Sequence, residues 1–215
     1  MRFVFLTRYL VCEVNVMSKG ELTRDRIVAQ AAPIFNQRGY AGCSMQDVMD
    51  ATGLEKGGLY RHFESKEELA AEAFKYALSQ AVKTRTADLE HITGFVAKLR
   101  YVVSRFVEAP STMPGGCPLM NTAIDSDDGN PALRKLVKAG LNDWKKRISA
   151  LVKQGIQAHE IRNDVEPRRI ANTIIATLEG ALMISRMEGT KEALSDAGAA
   201  LNDMLNTIVF PTQKK

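Results

Sequence analysis

From Thr23 onward, apolar side chains recur at intervals of three and four residues, the period of an α-helix with one buried face. Ile27, Ala31, Ile34 and Phe35 share one stripe, which Thr23 is placed to cap and Gly39 to stop. Pro33 lies inside that helix, where it removes a hydrogen bond and should bend the axis. Ser44-Met45-Gln46-Asp47 reads as a capping box with Asp in place of the usual Glu or Gln. It opens a very short helix carrying Met45, Val48 and Met49, which Gly53 closes. A third short helix is expected from Glu55 to about Phe63, through Leu59 and Tyr60. Ser65-Lys66-Glu67-Glu68 reads as a full capping box and launches a long helix through Leu69, Phe74, Leu78 and Val82.

The rest of the chain keeps the helical period. Phe95, Leu99, Val102, Val103 and Phe106 form a stripe that Pro110 ends. The breaker-rich stretch Ser111-Thr112-Met113-Pro114-Gly115-Gly116-Cys117-Pro118 must be an ordered loop or a kinked turn. Pro118 suits the first turn of a helix through Leu119, Ala123 and Ile124. After a turn at Asp127–Pro131, Val137, Leu141, Trp144, Ile148 and Leu151 mark a long amphipathic helix from Pro131 to about Gln157. Pro167 starts another, with Ile170, Ile174, Leu178 and Leu182 inward, and the last runs from about Lys191 to Val209. No alternation of the strand type and no internal repeat is present. The expected fold class is all-α, about nine helices, with a three-helix helix-turn-helix head on a helical body.

Composition narrows the class without deciding it. A chain of 215 residues, 45% hydrophobic and 25% charged, can bury a real core. A net charge of +4 permits contact with nucleic acid but does not demand it. Cys12, Cys43 and Cys117 are far apart and odd in number, and His62, His91 and His159 are scattered, so neither a disulfide framework nor a metal or other cofactor is expected. No run reaches the ~18 apolar residues of a membrane span, and the expected location is the cytoplasm. Residues 1–16 read as a flexible extension or the product of an upstream start, with Met17 as the alternative first residue. A signal peptide is disfavoured because Arg8 and Glu13 interrupt the apolar stretch and no small-x-small site follows. The expected division is 1–16, a helix-turn-helix head over 17–68 and a helical body over 69–215.

The informative chemistry lies between residues 44 and 68. Two short helices joined by a tight turn at Gly53 form a helix-turn-helix, whose second helix enters the major groove. Gly57 and Gly58 weaken that helix by roughly 1 kcal/mol each, a cost that makes sense where a backbone presses against DNA. Lys56, Tyr60, His62 and Lys66 suit phosphate oxygens; the alternative makes Tyr60 and His62 packing residues and the lysines solvated charges.

Gly39-Tyr40, Ser44-Met45-Gln46-Asp47-Val48, the run Ala51-Thr52-Gly53-Leu54-Glu55-Lys56-Gly57-Gly58-Leu59-Tyr60-Arg61-His62-Phe63 and Ser65-Lys66-Glu67-Glu68-Leu69 closely resemble the N-terminal domain of the tetracycline-repressor (TetR) family of bacterial regulators. The resemblance implies a homodimer that binds palindromic operator DNA and releases it when a small-molecule effector binds. Carried over by position, Ser44, Lys56, Tyr60, His62 and Lys66 would touch the DNA backbone, Gly57, Gly58 and Leu59 would face the groove floor, and Gln46 would contact a base or phosphate. Glu55 departs from the family's usual small residue. Residues 17–68 also hold seven Lys or Arg against eight Asp or Glu, so the head is not basic as a whole and binding must come from local placement and doubling across a dimer.

The last two apolar stripes, Ile174, Leu178 and Ala181 with Leu194, Ala197, Leu201, Met204 and Ile208, are assigned to a four-helix dimer interface; the alternative is that they close the subunit's own core. An effector pocket between the middle helices is expected to draw on Tyr101, Phe106, Met113, Cys117, Met120, Asn121, Trp144, Glu179 and Met183, with Asn142 as a further polar candidate. Cys117 stands at a helix N-terminus, where the dipole would lower a thiol pKa, in a Gly-Cys-Pro-Leu motif resembling a subset of TetR-like regulators. It is either a reactive sensor thiol or a small residue packed against the glycine turn. The leading reading is a ligand-responsive DNA-binding regulator, a repressor rather than an enzyme. The alternatives are an all-α enzyme or thiol-based redox sensor using Cys117, and a helical adaptor.

Overall fold

The computed structural model describes residues 18–108, 111, 113–127 and 129–210. The readings of residues 1–16 and of Pro110 therefore lie outside the described residues. Nine α-helices are found among the described residues: α1 (Lys19–Gly42), α2 (Met45–Thr52), α3 (Lys56–Tyr60), α4 (Lys66–Arg85), α5 (Phe95–Glu108), α6 (Pro118–Ser126), α7 (Pro131–Gln157), α8 (Pro167–Glu188) and α9 (Glu192–Ile208), with a 3-10 turn at Leu89–His91.

Helix α1 begins earlier than Thr23. Ser18 is its N-cap, accepting the Glu21 N–H while the Glu21 carboxylate takes the Ser18 N–H in a complete capping box. Thr23 instead lies inside the helix and donates its hydroxyl to the Lys19 carbonyl. The interior residue with non-helical dihedrals is Gly39 (φ 72°, ψ 175°), so the helix breaks at the expected stop. A Cβ on Gly39 would stand 2.8 Å from Asp125 Oδ1, so both conformation and contact require glycine. The Ser44–Asp47 box and the left-handed Gly53 cap of α2 agree with expectation. Helix α3 stops at Tyr60, three residues short of Phe63, whose ring is buried in the head core. At α4, Ser65 caps the Glu68 N–H, but Glu68 reaches the N–H of Glu64 and not that of Ser65, leaving the box half made.

Two main cores result. The head core holds Ile27, Ala31, Val48, Leu59, Phe63 and Leu69, and Ala73 and Ala77 of α4 complete it. The body core joins α5, α7, α8 and α9 around Leu99, Val103, Ile148, Leu178, Leu201 and Leu205. A smaller cluster of Phe74, Cys117, Leu119 and Val137 knits α4 to α6 and α7 between them.

This packing revises the dimer assignment. Ile174, Leu178, Ala181, Leu194, Ala197, Leu201 and Ile208 are all buried inside one subunit, and Met204 packs partly buried against the same core. Their stripes close the monomer, so they are not available to a partner. The apolar surface that α8 does leave open is Met183, Ile184 and Met187.

Candidate functional site

The α2–Gly53–α3 unit presents its functional side chains unevenly. Lys56, Gly57 and Tyr60 are exposed, with the Lys56 ammonium 5.9 Å from the Tyr60 ring centroid. His62 and Lys66 are half-buried, and Lys66 stacks its ammonium 4.3 Å over the ring of Tyr40. Leu59 is fully buried in the head core, so it anchors α3 and does not face the groove floor. Ser44 spends its hydroxyl on the α2 cap, and Gln46 donates its amide to Asp50 at 2.7 Å. The Ser44 hydroxyl and backbone hold the Asp47 carboxyl down to about 2, and Arg38 pairs with it. Glu55 is the α3 N-cap but makes no capping bond with its side chain, which leaves that carboxylate free at the exposed end of α3.

The two glycines of α3 have no reason within the chain. A Cβ on Gly57 would meet nothing within 4 Å, and one on Gly58 would make an ordinary 3.6 Å contact with Leu54. Neither has a positive φ. Packing within the described residues therefore does not require glycine at either position.

Behind the head, α4, α5, α6 and α7 enclose a cavity of about 330 Å³. Val82, Arg85, Phe106, Cys117, Trp144 and Ile148 are among its walls. The Phe106 and Trp144 rings stack at 5.9 Å with an interplanar angle of 13°. Three of the expected pocket residues, Phe106, Cys117 and Trp144, thus line one chamber. The others go elsewhere. Tyr101 donates its hydroxyl to the Ala87 carbonyl, Met120 packs with the small middle cluster, and Met113 is inserted into the head core. Asn142 is exposed, and Met183 is half exposed on α8. Glu179 is half-buried, its two carboxylate oxygens shielded from solvent near the Cys117 thiol, and it does not line the chamber.

The thiol itself does not behave as the helix N-terminus would dictate. Cys117 is 1% exposed, and burial with the nearby Glu179 charge pushes its pKa up to about 11, against the opposite pull of Arg85. Desolvation outweighs the dipole, so the thiol stays protonated at neutral pH. Burial also raises the Glu179 carboxyl above its usual range, while Cys117 and Arg85 act in the lowering direction.

Asn121 belongs to a seam between head and body. The Asn36 amide donates to the Pro114 and Gly116 carbonyls at 2.7 and 3.2 Å, and the Asn121 amide donates to the carbonyls of Gly115 and Asn36 at 2.7 and 3.0 Å. A Cβ on Gly115 (φ 103°) would stand 2.6 Å from the Asn36 carbonyl oxygen. Residues 113–117 of the breaker-rich stretch thus form a fixed loop, with Met113 in the head core and Cys117 in the chamber wall. Sequence reasoning missed Asn36 and Arg85. Asn36 follows Val28 and Ala32 at intervals of four, and Arg85 follows Leu78 and Val82 at four and three, so each is a polar residue on an inward stripe.

A reading head separated from a ligand-sized chamber by a hydrogen-bonded seam describes a DNA-binding transcription regulator that answers to a small molecule. Residues 27–73 match the family described as bacterial regulatory proteins, tetR family, and residues 96–201 match the tetracyclin repressor-like C-terminal domain. The chain belongs to the TetR family. A TetR transcriptional regulator from Chloroflexus aurantiacus is 45% identical, with a TM-score of 0.85, covering 90% of this chain and 98% of that one. A TetR-family regulator from Cytophaga hutchinsonii is 36% identical, with a TM-score of 0.86, covering 91% and 99%. The HTH-type transcriptional repressor DhaR of Mycobacterium sp. (strain GP1) is 27% identical over 188 residues, 87% of this chain and 90% of that protein. Among the described residues, no helix is long and apolar enough to cross a membrane.

Proposed function

We propose that the chain is a repressor that binds a palindromic operator as a homodimer in the cytoplasm and lets go when an apolar effector fills the chamber behind α4. The reading assigns the head to residues 17–68 and the effector and dimer functions to 69–215, with no catalytic role. Gly57 and Gly58 admit the DNA backbone, while Lys56, Tyr60, His62 and Lys66 hold phosphates and Gln46 meets a base or phosphate. Ser44 contributes through the cap that fixes the start of α2.

The observation that carries the reading is the seam. Loop 113–117 touches the chamber at Cys117 and the head at Met113 and Gly115. An effector that displaces the chamber wall therefore acts on α1 within a few residues. Dimerisation uses the open face of α8, where Gly180 has free space at its Cβ position and Met183, Ile184 and Met187 lie exposed. In the Gly116-Cys117-Pro118-Leu119 motif, the cysteine serves as a packing residue of the chamber wall, in keeping with its protonated thiol. Fluorescence anisotropy with labelled duplexes from the region upstream of the gene tests the reading. Saturable binding of one palindrome by a dimer supports it, and equal affinity for every duplex refutes it.

A further inference from the structure

One element of the chamber is explained neither by folding nor by DNA binding. Of its charged wall residues, Asp143 and Arg147 pair with each other at 2.6 Å, but Arg85 has no carboxylate within ion-pair distance among the described residues. Its guanidinium lies 4.0 Å from the Phe106 ring centroid, and its one side-chain hydrogen bond is a 3.9 Å contact to the Cys117 sulfur. Glu179 feels the Arg85 charge from beyond ion-pair distance, with burial outweighing it and raising the carboxyl pKa, and it does not line the cavity. A half-buried guanidinium with most of its donors unspent is an open site for a planar anion, because its fork matches two carboxylate oxygens at once.

We propose that the effector is a small apolar monocarboxylate, with its carboxylate on Arg85 and its aromatic or medium-chain body against Phe106 and Trp144. This rests on the chamber being the effector site. The volume of about 330 Å³ sits near the lower end of the ~300–1,000 Å³ range of ligand pockets, which favours a compact body. One unpaired cation matches one unit of negative charge; a phosphate monoester, carrying nearly two, would leave charge unmatched inside apolar walls.

The chain carries its own probe, because Trp144 is its one tryptophan and lines the chamber. Benzoate, 4-phenylbutyrate and octanoate are titrated against Trp144 fluorescence beside their methyl esters, with operator anisotropy read on the same samples. At least one acid should bind tenfold or more tightly than its ester. Arg85→Met should bring that ratio to within twofold of one, and Arg85→Lys, which keeps the charge, should restore much of it. Equal binding of acid and ester, an unchanged ratio in Arg85→Met, or no saturable response to any acid overturns the inference. The regulator reading fails separately, if the untitrated protein binds no duplex.

Discussion

Replacing Gly57 with alanine separates folding from DNA recognition in one atom. In the chain alone, the new methyl group meets nothing within 4 Å, and the backbone φ is not in the left-handed region. Alanine should therefore strengthen α3 by about 0.5–1 kcal/mol through helix propensity and the lost freedom of glycine in the unfolded chain. At ~2–4 °C per kcal/mol for a chain of this size, that is a rise in Tm of about 1–4 °C. On DNA, the same methyl group stands between the α3 backbone and the groove. Relieving it by withdrawing the helix loses phosphate bonds from the Lys56 and Tyr60 side, and charge-assisted bonds are worth about 1.5–3 kcal/mol each. Operator affinity should fall at least tenfold, since both heads of a dimer carry the change. Thermal melting and anisotropy on one preparation give both numbers. An alanine variant that binds operator as tightly as the parent refutes the account of the glycines, and a lowered Tm refutes the account of α3.

Gly115→Ala should act in the opposite sense: a positive φ costs about 1–3 kcal/mol and the 2.6 Å approach to Asn36 adds to it, so Tm should fall by several degrees, and an unchanged melt would contradict the seam geometry. Met183→Glu with Met187→Glu should yield folded monomers by sedimentation while Leu201→Glu, aimed at a buried residue, should unfold the subunit; a double variant that remains a dimer moves the interface elsewhere. Cys117 should resist alkylation in the native state at pH 7.5, as peptide mapping would show. Because folding raises its pKa from 9.0 to about 11, its contribution to stability is intact below pH 9 and is lost as pH climbs towards 11. The stability difference between the parent and Cys117→Ala should change over that window and be flat from pH 6 to 8.

How much of this was legible in the sequence depended on the range of the interaction. Caps and turns made within four residues, such as Ser44 with Asp47 and the Gly53 stop, were readable because their partners are neighbours in the chain. The helix starts at Pro118, Pro131 and Pro167 were equally plain. Thr23 failed as a cap because Ser18 with Glu21 offered a second capping box upstream. The dimer stripe failed for a different reason: a period of three and four marks burial but not what does the burying, and α5 and α7 of the same subunit claim that face. Sequence left Cys117 open between sensor and packing residue because the dipole at a helix N-terminus is local, whereas the desolvation and Glu179 charge that raise its pKa come from elements distant in sequence. Leu59 sat in a DNA-facing motif yet turned inward, since a helix as short as α3 needs one anchor to hold it to the head.

The energies available to the seam match what a regulator needs. Shifting an operator-bound population usefully takes a coupling free energy of about 1–3 kcal/mol. The Asn36 and Asn121 amides make four hydrogen bonds across the seam, to the carbonyls of Pro114, Gly116 and Asn36 and to the Asn36 side-chain oxygen, each worth ~0.5–1.5 kcal/mol net. Loss of two of them as the chamber wall moves, ~1–3 kcal/mol, would already reach that range. The Phe106–Trp144 stack and the body core lie on the other side of Cys117 and need not rearrange. An effector thus has to displace one loop rather than repack a domain. In the proposed mechanism, Gly115 pressed against the Asn36 backbone would couple that displacement to α1. A seam built of side-chain amides and glycine carbonyls, with Met113 as its apolar peg in the head, is weak enough to yield to a ligand and stiff enough to transmit the change.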